Sequence, residues 1–130
     1  MEKEAVIPAS LPSWVKKMPL PLSPVVKAGG FVFVSGYAAY RDRKTEALVE
    51  GIEAQTRETL EVIKDILEDA GSSLDKVVKV TVFLRNAQDF PKMNEVYRTF
   101  FPKDPPARTT LVGGLVLPEL LVEIECMAMV

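Results

Sequence analysis

Arg108 and Glu123 are the residues in this chain best suited by type and spacing to do chemistry on a small anion. Arg108 stands in Pro105-Pro106-Ala107-Arg108-Thr109-Thr110, and Glu123 stands fifteen residues later in Val122-Glu123-Ile124-Glu125. A guanidinium offers a planar fork of donors that fits a carboxylate bidentately, and a carboxylate on a neighbouring strand could handle a water or a proton beside it. Pro105 and Pro106 stiffen the approach to Arg108, so a substrate can be held without first ordering the loop. The residues alone also admit a plainer reading, a strand-end arginine paired with a surface acid.

Glu123 and Glu125 fall at i and i+2 of one strand face, roughly 6.6 Å apart at their Cα atoms. Like charges that close, partly covered, raise at least one pKa and make a base usable near neutral pH; in the open they are a solvated polar face. Thr109 and Thr110 suit a strand by propensity, and their backbone N–H groups could bind a substrate oxygen. Gly36, after Ser35, marks either a bulge, the better supported reading, or a close approach of ligand to backbone. Cys126, the single cysteine, alternates onto the core face and reads as a buried structural thiol. Tyr97 reads as core, and Asn94, one helical turn before it, as a cap or brace for the nearby loop.

Much chemistry is excluded. The 130 residues contain no histidine, which removes imidazole bases and Ser-His or Cys-His nucleophile pairs, and one cysteine with scattered acids is a poor metal-ligand set. Proton transfer falls to Glu, Asp, Lys or Tyr. Neither a GxGxxG nor a P-loop pattern occurs, so a nucleotide cofactor has no motif support. A net charge of −2, with no basic run longer than two residues, argues against nucleic acid as the main partner. The longest uncharged stretch, 28–40, has 13 residues against the roughly 20 that span a bilayer, and the acidic start does not resemble a signal or transit peptide. A soluble, cytoplasmic protein is the expectation.

The elements that must position these residues follow from the hydrophobic periods. A short strand at 5–7 precedes a lead-in with five prolines between Pro8 and Pro24, an extended segment (within residues 1–23) laid on the single domain of residues 1–130. Residues 25–27, 31–35 and those after Gly36 read as a strand meander with Gly29-Gly30 as a hairpin turn. Ile52, Leu60, Ile63, Leu67 and Ala70 follow the 3.6 period of a helix over 51–70 that stops at Gly71. Val78, Val80, Val82 and Leu84 predict a strand over 77–85 buried on one face. Asp89 suits an N-cap, with Pro91 in the first turn of a second helix whose core stripe is Phe90, Met93, Tyr97, Phe100 and Phe101. Strands over 107–113 and 120–129 complete an α+β layer, two helices on one face of a mixed sheet. The last strand places Val122, Ile124, Cys126, Ala128 and Val130 on one face and a mixture of apolar and acidic residues on the other, the pattern of a sheet covered by a second subunit.

Six segments together carry a resemblance. Phe33-Val34-Ser35-Gly36, Ala54-Gln55-Thr56-Arg57 through Leu60, Ala70 through Lys79, Asn94-Glu95-Val96-Tyr97 with Phe100-Phe101, Pro106-Ala107-Arg108 and Val122 through Glu125 occur in the order found in the reactive intermediate deaminase family. The chain thus resembles the RidA or YjgF-like family, also labelled L-PSP endoribonuclease, over about residues 24–130. The resemblance implies a chorismate-mutase-like fold, a homotrimer with sites between subunits, and cofactor-independent hydrolysis of 2-imino or enamine acids to 2-keto acids and ammonia. It implies that Arg108 binds the substrate carboxylate, Glu123 handles the water, Gly36 lines the site with its backbone, and the backbone at Thr110 helps hold the substrate. Leu22 takes the position of a family tyrosine, Tyr37 that of a glutamine, and Thr110 that of a common cysteine. Leu22, Tyr37 and Asn94 are expected in the substrate-binding walls, and the departures leave open a non-catalytic carboxylate-binding trimer that regulates a partner. RNA cleavage rests on the family's other label alone, against the acidic charge and the missing histidine.

Overall fold

Period-two runs form one six-stranded sheet in the computed structural model, which describes residues 2–130. In chain order the strands are β1 (Glu4–Val6), β2 (Val25–Ala28), β3 (Phe31–Tyr37), β4 (Val77–Leu84), β5 (Ala107–Val112) and β6 (Val122–Met129). The helices are α1 (Ser13–Lys16), α2 (Ile52–Asp69) and α3 (Phe90–Phe100), with single 3₁₀ turns at Leu74–Lys76 and Ala87–Asp89. Strand order across the sheet is β1-β2-β3-β6-β4-β5, antiparallel except for the β4/β5 pair. The fold is therefore mixed α+β.

The hairpin between β2 and β3 turns through Gly29 and Gly30, both at positive φ, 58° and 82°. That is the two-residue geometry whose twist matches the flanking strands. After β3 the meander does not continue as a strand. Residues 38–51 form a loop pinched only by an Arg41–Leu48 bridge, because Asp42 Oδ1 accepts from the N–H groups of Lys44 and Thr45 and holds the backbone in a turn.

Helix α2 buries Leu60, Val62, Ile63, Ile66 and Leu67 against the inner faces of β3 and β6, where Val32, Val34, Ile124 and Ala128 meet them. Full burial of side chains this size stabilises by about 1.5–3 kcal/mol each. Helix α3 packs beside it through Met93, Val96, Tyr97 and Phe101. Phe90 is not in that stripe; at 42% exposed it sits at the open end of the helix, while Val96 takes a core place. Asp89 occupies the N-cap position in helical geometry with no side-chain capping bond, because the preceding 3₁₀ turn already leads into the helix. On β4 the buried residues are Val77, Val80, Val82 and Leu84, whereas Val78 is only half-buried. The register explains it: two steps on β4, from Val77 to Lys79, match one on β6, a bulge that reverses which side chains face inward.

Candidate functional site

A second bulge builds one half of the site. Three steps along β3, from Val34 to Tyr37, match two along β6, from Cys126 to Ile124, so Ser35-Gly36 carries one residue too many. The extra residue turns Tyr37 into the core, where it is 7% exposed, and presents the Gly36 backbone to Glu123. A Cβ at Gly36 would collide with Glu123 Oε2 and stand 3.2 Å from its Cδ. The register bears out the bulge reading of Gly36, and what approaches its backbone closely is a carboxylate of the same chain.

Glu123 faces away from the helices, since its neighbours Val122 and Ile124 are buried beneath them. Partial burial pushes its carboxyl above the ordinary glutamate range, and the charge of Glu125 adds to the effect. It lines a concavity of about 330 Å³ together with Trp14, Leu20, Leu22, Gly36, Tyr37 and Leu117. Tyr37 contributes its ring; its hydroxyl is buried without a hydrogen-bond partner, and burial with the nearby Glu58 carboxylate raises its pKa. Leu22 is 57% exposed at the rim.

Arg108 builds the other half. It pairs in register with Val80, a core residue of β4, so its side chain is directed to the helix side. There its guanidinium carbon lies 4.7 Å from the ring centroid of Tyr97 and 5.6 Å from that of Phe90. No carboxylate among the described residues pairs with it; the ion pairs are Arg43–Glu58 at 2.9 Å and Lys64–Glu68 at 3.3 Å. The plainer reading of Arg108, an arginine neutralised by a surface acid, therefore fails within this chain. Arg108 opens on a concavity of about 340 Å³ shared with Asn94, Tyr97, Arg98, Pro105 and Pro106. Two buried polar atoms there, Asn94 Oδ1 and the Tyr97 hydroxyl, have no hydrogen-bond partner among the described residues. Asn94 Oδ1 therefore braces no loop. Burial pushes the Tyr97 phenol up to about 12 despite the opposing charge of Arg108.

The two halves do not meet in one chain. Strand β4 lies between β5 and β6, so Glu123 is not on the strand next to Arg108, as the spacing suggested, and the two side chains leave opposite faces of the sheet. Thr110 shares the helix-side parity of Arg108, in register with Val82, and β5 is the sheet edge, free of a partner on its outer side. Cys126 is buried as expected, and burial raises its thiol to about 12, which makes it a poor nucleophile.

Sequence reasoning missed two residues that shape the site. Arg85 donates from Nε to Leu120 O at 2.7 Å and from Nη2 to Leu117 O at 2.7 Å, pinning the connection before β6. Gln55, buried at 2% exposed, donates to Val49 O and Glu119 O and accepts from the Leu121 N–H, tying α2 to the same connection. The signal was present: a glutamine on the buried face of a helix, beside Thr56 and Thr59, needs buried partners.

A mixed six-stranded sheet carrying two long helices on one face, with a carboxylate and an unpaired arginine at its opposite faces, defines an α+β protein with a split polar site. The chain belongs to the family described as Endoribonuclease L-PSP, whose model matches residues 16–130. It is 47% identical over 109 residues to a RutC family protein of Pyrococcus horikoshii, covering 83% of this chain and 86% of that one. It is 40% identical over 129 residues to the 3-aminoacrylate deaminase RutC of Acinetobacter baylyi, covering 98% of both. Among solved structures it is similar to RidA from an Antarctic Psychrobacter, with a TM-score of 0.86, 32% identity, and coverage of 98% of this chain and 99% of that one.

Proposed function

We propose that the protein is an imine/enamine deaminase that hydrolyses 2-imino acids, or their enamine tautomers, to 2-keto acids and ammonia without a cofactor. It does so as a homotrimer of chorismate-mutase-like subunits, each site joining Arg108 of one subunit to Glu123 of the next. The observation that carries this reading is the split site: an arginine without an acid partner and a raised-pKa glutamate, held on opposite faces of one sheet. Such a pair can act on one substrate only across an interface. The similarity to a protein named 3-aminoacrylate deaminase supports the same reaction class.

Arg108 holds the carboxylate of the imino acid, and stacking on Tyr97 limits its rotation. Glu123 takes a proton from water as the water oxygen bonds to the imine carbon and the C=N π electrons move to nitrogen, and it then delivers that proton to the nitrogen. The tetrahedral carbinolamine collapses as Glu123 takes the hydroxyl proton and passes it to the amine: C=O forms, the C–N bond breaks and ammonia leaves. A carboxyl with a raised pKa suits both transfers. Gly36 leaves Glu123 free to approach the backbone, and Thr110 presents main-chain donors at the sheet edge.

The test is release of ammonia and 2-ketobutyrate from enzymatically generated 2-iminobutyrate. Wild type accelerates release over buffer, and Arg108→Ala, losing charge-assisted hydrogen bonds of about 1.5–3 kcal/mol, lowers kcat/KM about 10- to 150-fold. No acceleration by wild type, or full activity in the variant, ends the proposal.

A further inference from the structure

The concavity around Glu123 has walls of a kind that a two- or three-carbon substrate does not need. Trp14, Met18, Leu20, Leu22, Leu117 and Leu120 line it, and Glu123 is the one charged residue among the described residues that does. At about 330 Å³ it has room beside Glu123 for more than a methyl group. Filling such walls with water is unfavourable, and several of the wall residues are apolar side chains left in the open: Leu20 is 52% exposed, Leu22 57% and Met18 37%.

The walls are held by separate devices. Trp14 stands on α1 and packs edge-on against Tyr40, ring centroids 5.2 Å apart, with Tyr37 at 6.3 Å. Helix α1 is anchored through Lys16 Nζ to Ala9 O at 3.0 Å. The opposite wall, Leu117 and Leu120, is fixed by the Arg85 bonds to their carbonyl oxygens. Two segments far apart in the chain thus converge on one carboxylate and border an open apolar concavity beside it.

We infer that this chamber receives the side chain of the substrate, so that the protein prefers 2-imino acids bearing a bulky apolar side chain, with Trp14 as the residue that sets the preference. The inference rests on the proposed role of Glu123: a substrate whose imine carbon meets water at that carboxylate extends its remaining carbons along the Trp14 wall. Each buried methylene adds about fourfold to kcat/KM, corresponding to ~0.8 kcal/mol.

The test generates imino acids in place with an amino-acid oxidase from alanine, 2-aminobutyrate, leucine and phenylalanine, and measures kcat/KM for each. The leucine- and phenylalanine-derived compounds are expected to exceed the alanine-derived one by about tenfold or more. Trp14→Ala lowers that ratio severalfold and Trp14→Phe keeps most of it, whereas a merely structural defect lowers all substrates together. Turnover that is flat or falls with side-chain size overturns the inference and leaves the deaminase reading intact; it is also the result expected if a partner subunit fills the chamber. Turnover of none of the four overturns the deaminase reading itself.

Discussion

At the scale of single residues, the protonation state of Glu123 is the property that geometry sets most directly. Partial burial and Glu125 raise its pKa, so the folded chain binds this proton more tightly than the unfolded chain does. The ionised carboxylate is therefore a destabilising feature at neutral pH, and stability gained from protonation is present at low pH and lost as pH rises through the folded pKa. Glu123→Gln is expected to melt at a higher temperature than wild type at pH 7, with the difference shrinking as the pH is lowered below the ordinary glutamate range; a lower melting temperature at pH 7 would contradict the burial argument. In activity, the acid limb of the wild-type pH–rate profile lies above the usual glutamate pKa and disappears in Glu123→Gln along with most of the rate. Arg108 has its own supporting contact: Tyr97→Leu removes the nearer aromatic face, and an interaction of about 0.5–2 kcal/mol predicts a KM rise of roughly 2- to 30-fold with little change in kcat.

At the scale of elements, the two bulges and the start of α3 separate propensity from register. The bulge at Ser35-Gly36 exists because Tyr37 must turn inward while Glu123 occupies the space outside. Gly36→Ala should therefore fold and still lose activity about tenfold or more, since the methyl group moves the carboxylate that a 1 Å misplacement would disable; circular dichroism beside the deaminase assay tests both halves of the claim. Helix α3 gives the opposite case. Asp89 has the type and position of an N-cap but makes no capping bond, so Asp89→Ala is expected to cost less than ~0.5 kcal/mol in urea unfolding, against about 1 kcal/mol for a working cap. A loss of a full kcal/mol would show that the cap forms in solution.

At the scale of the whole molecule, the sheet has one face under helices and one without. Phe31 and Phe33 on β3, in register with Met129 and Met127 on β6, lie on the uncovered face, with Leu111 of β5 in register with Phe83 further along. These apolar side chains, interspersed with Lys79, Thr81 and Glu125 on the same face, are the pattern of an association surface. The proposed trimer uses it, and Phe33→Glu tests this: the variant is expected to sediment as a monomer with unchanged far-ultraviolet circular dichroism and no deaminase activity, because separated subunits cannot bring Arg108 to Glu123. Activity in a monomeric variant would show that one chain suffices.

Local chemistry is what the amino-acid sequence by itself determined. The helix over residues 51–70, the Gly29-Gly30 turn and the buried face of β6 were legible, because each depends on periodicity or φ preference within a few residues. Only the tertiary structure decided where those groups point. Which strand separates β5 from β6, and on which faces Arg108 and Glu123 emerge, depends on strand order and on two one-residue bulges, and a period-two pattern contains neither. A shift of one residue in register exchanges the faces of a strand while leaving its alternation intact. The same limit hid Arg85 and Trp14, whose partners lie across the fold and are set by packing rather than by neighbours in the chain.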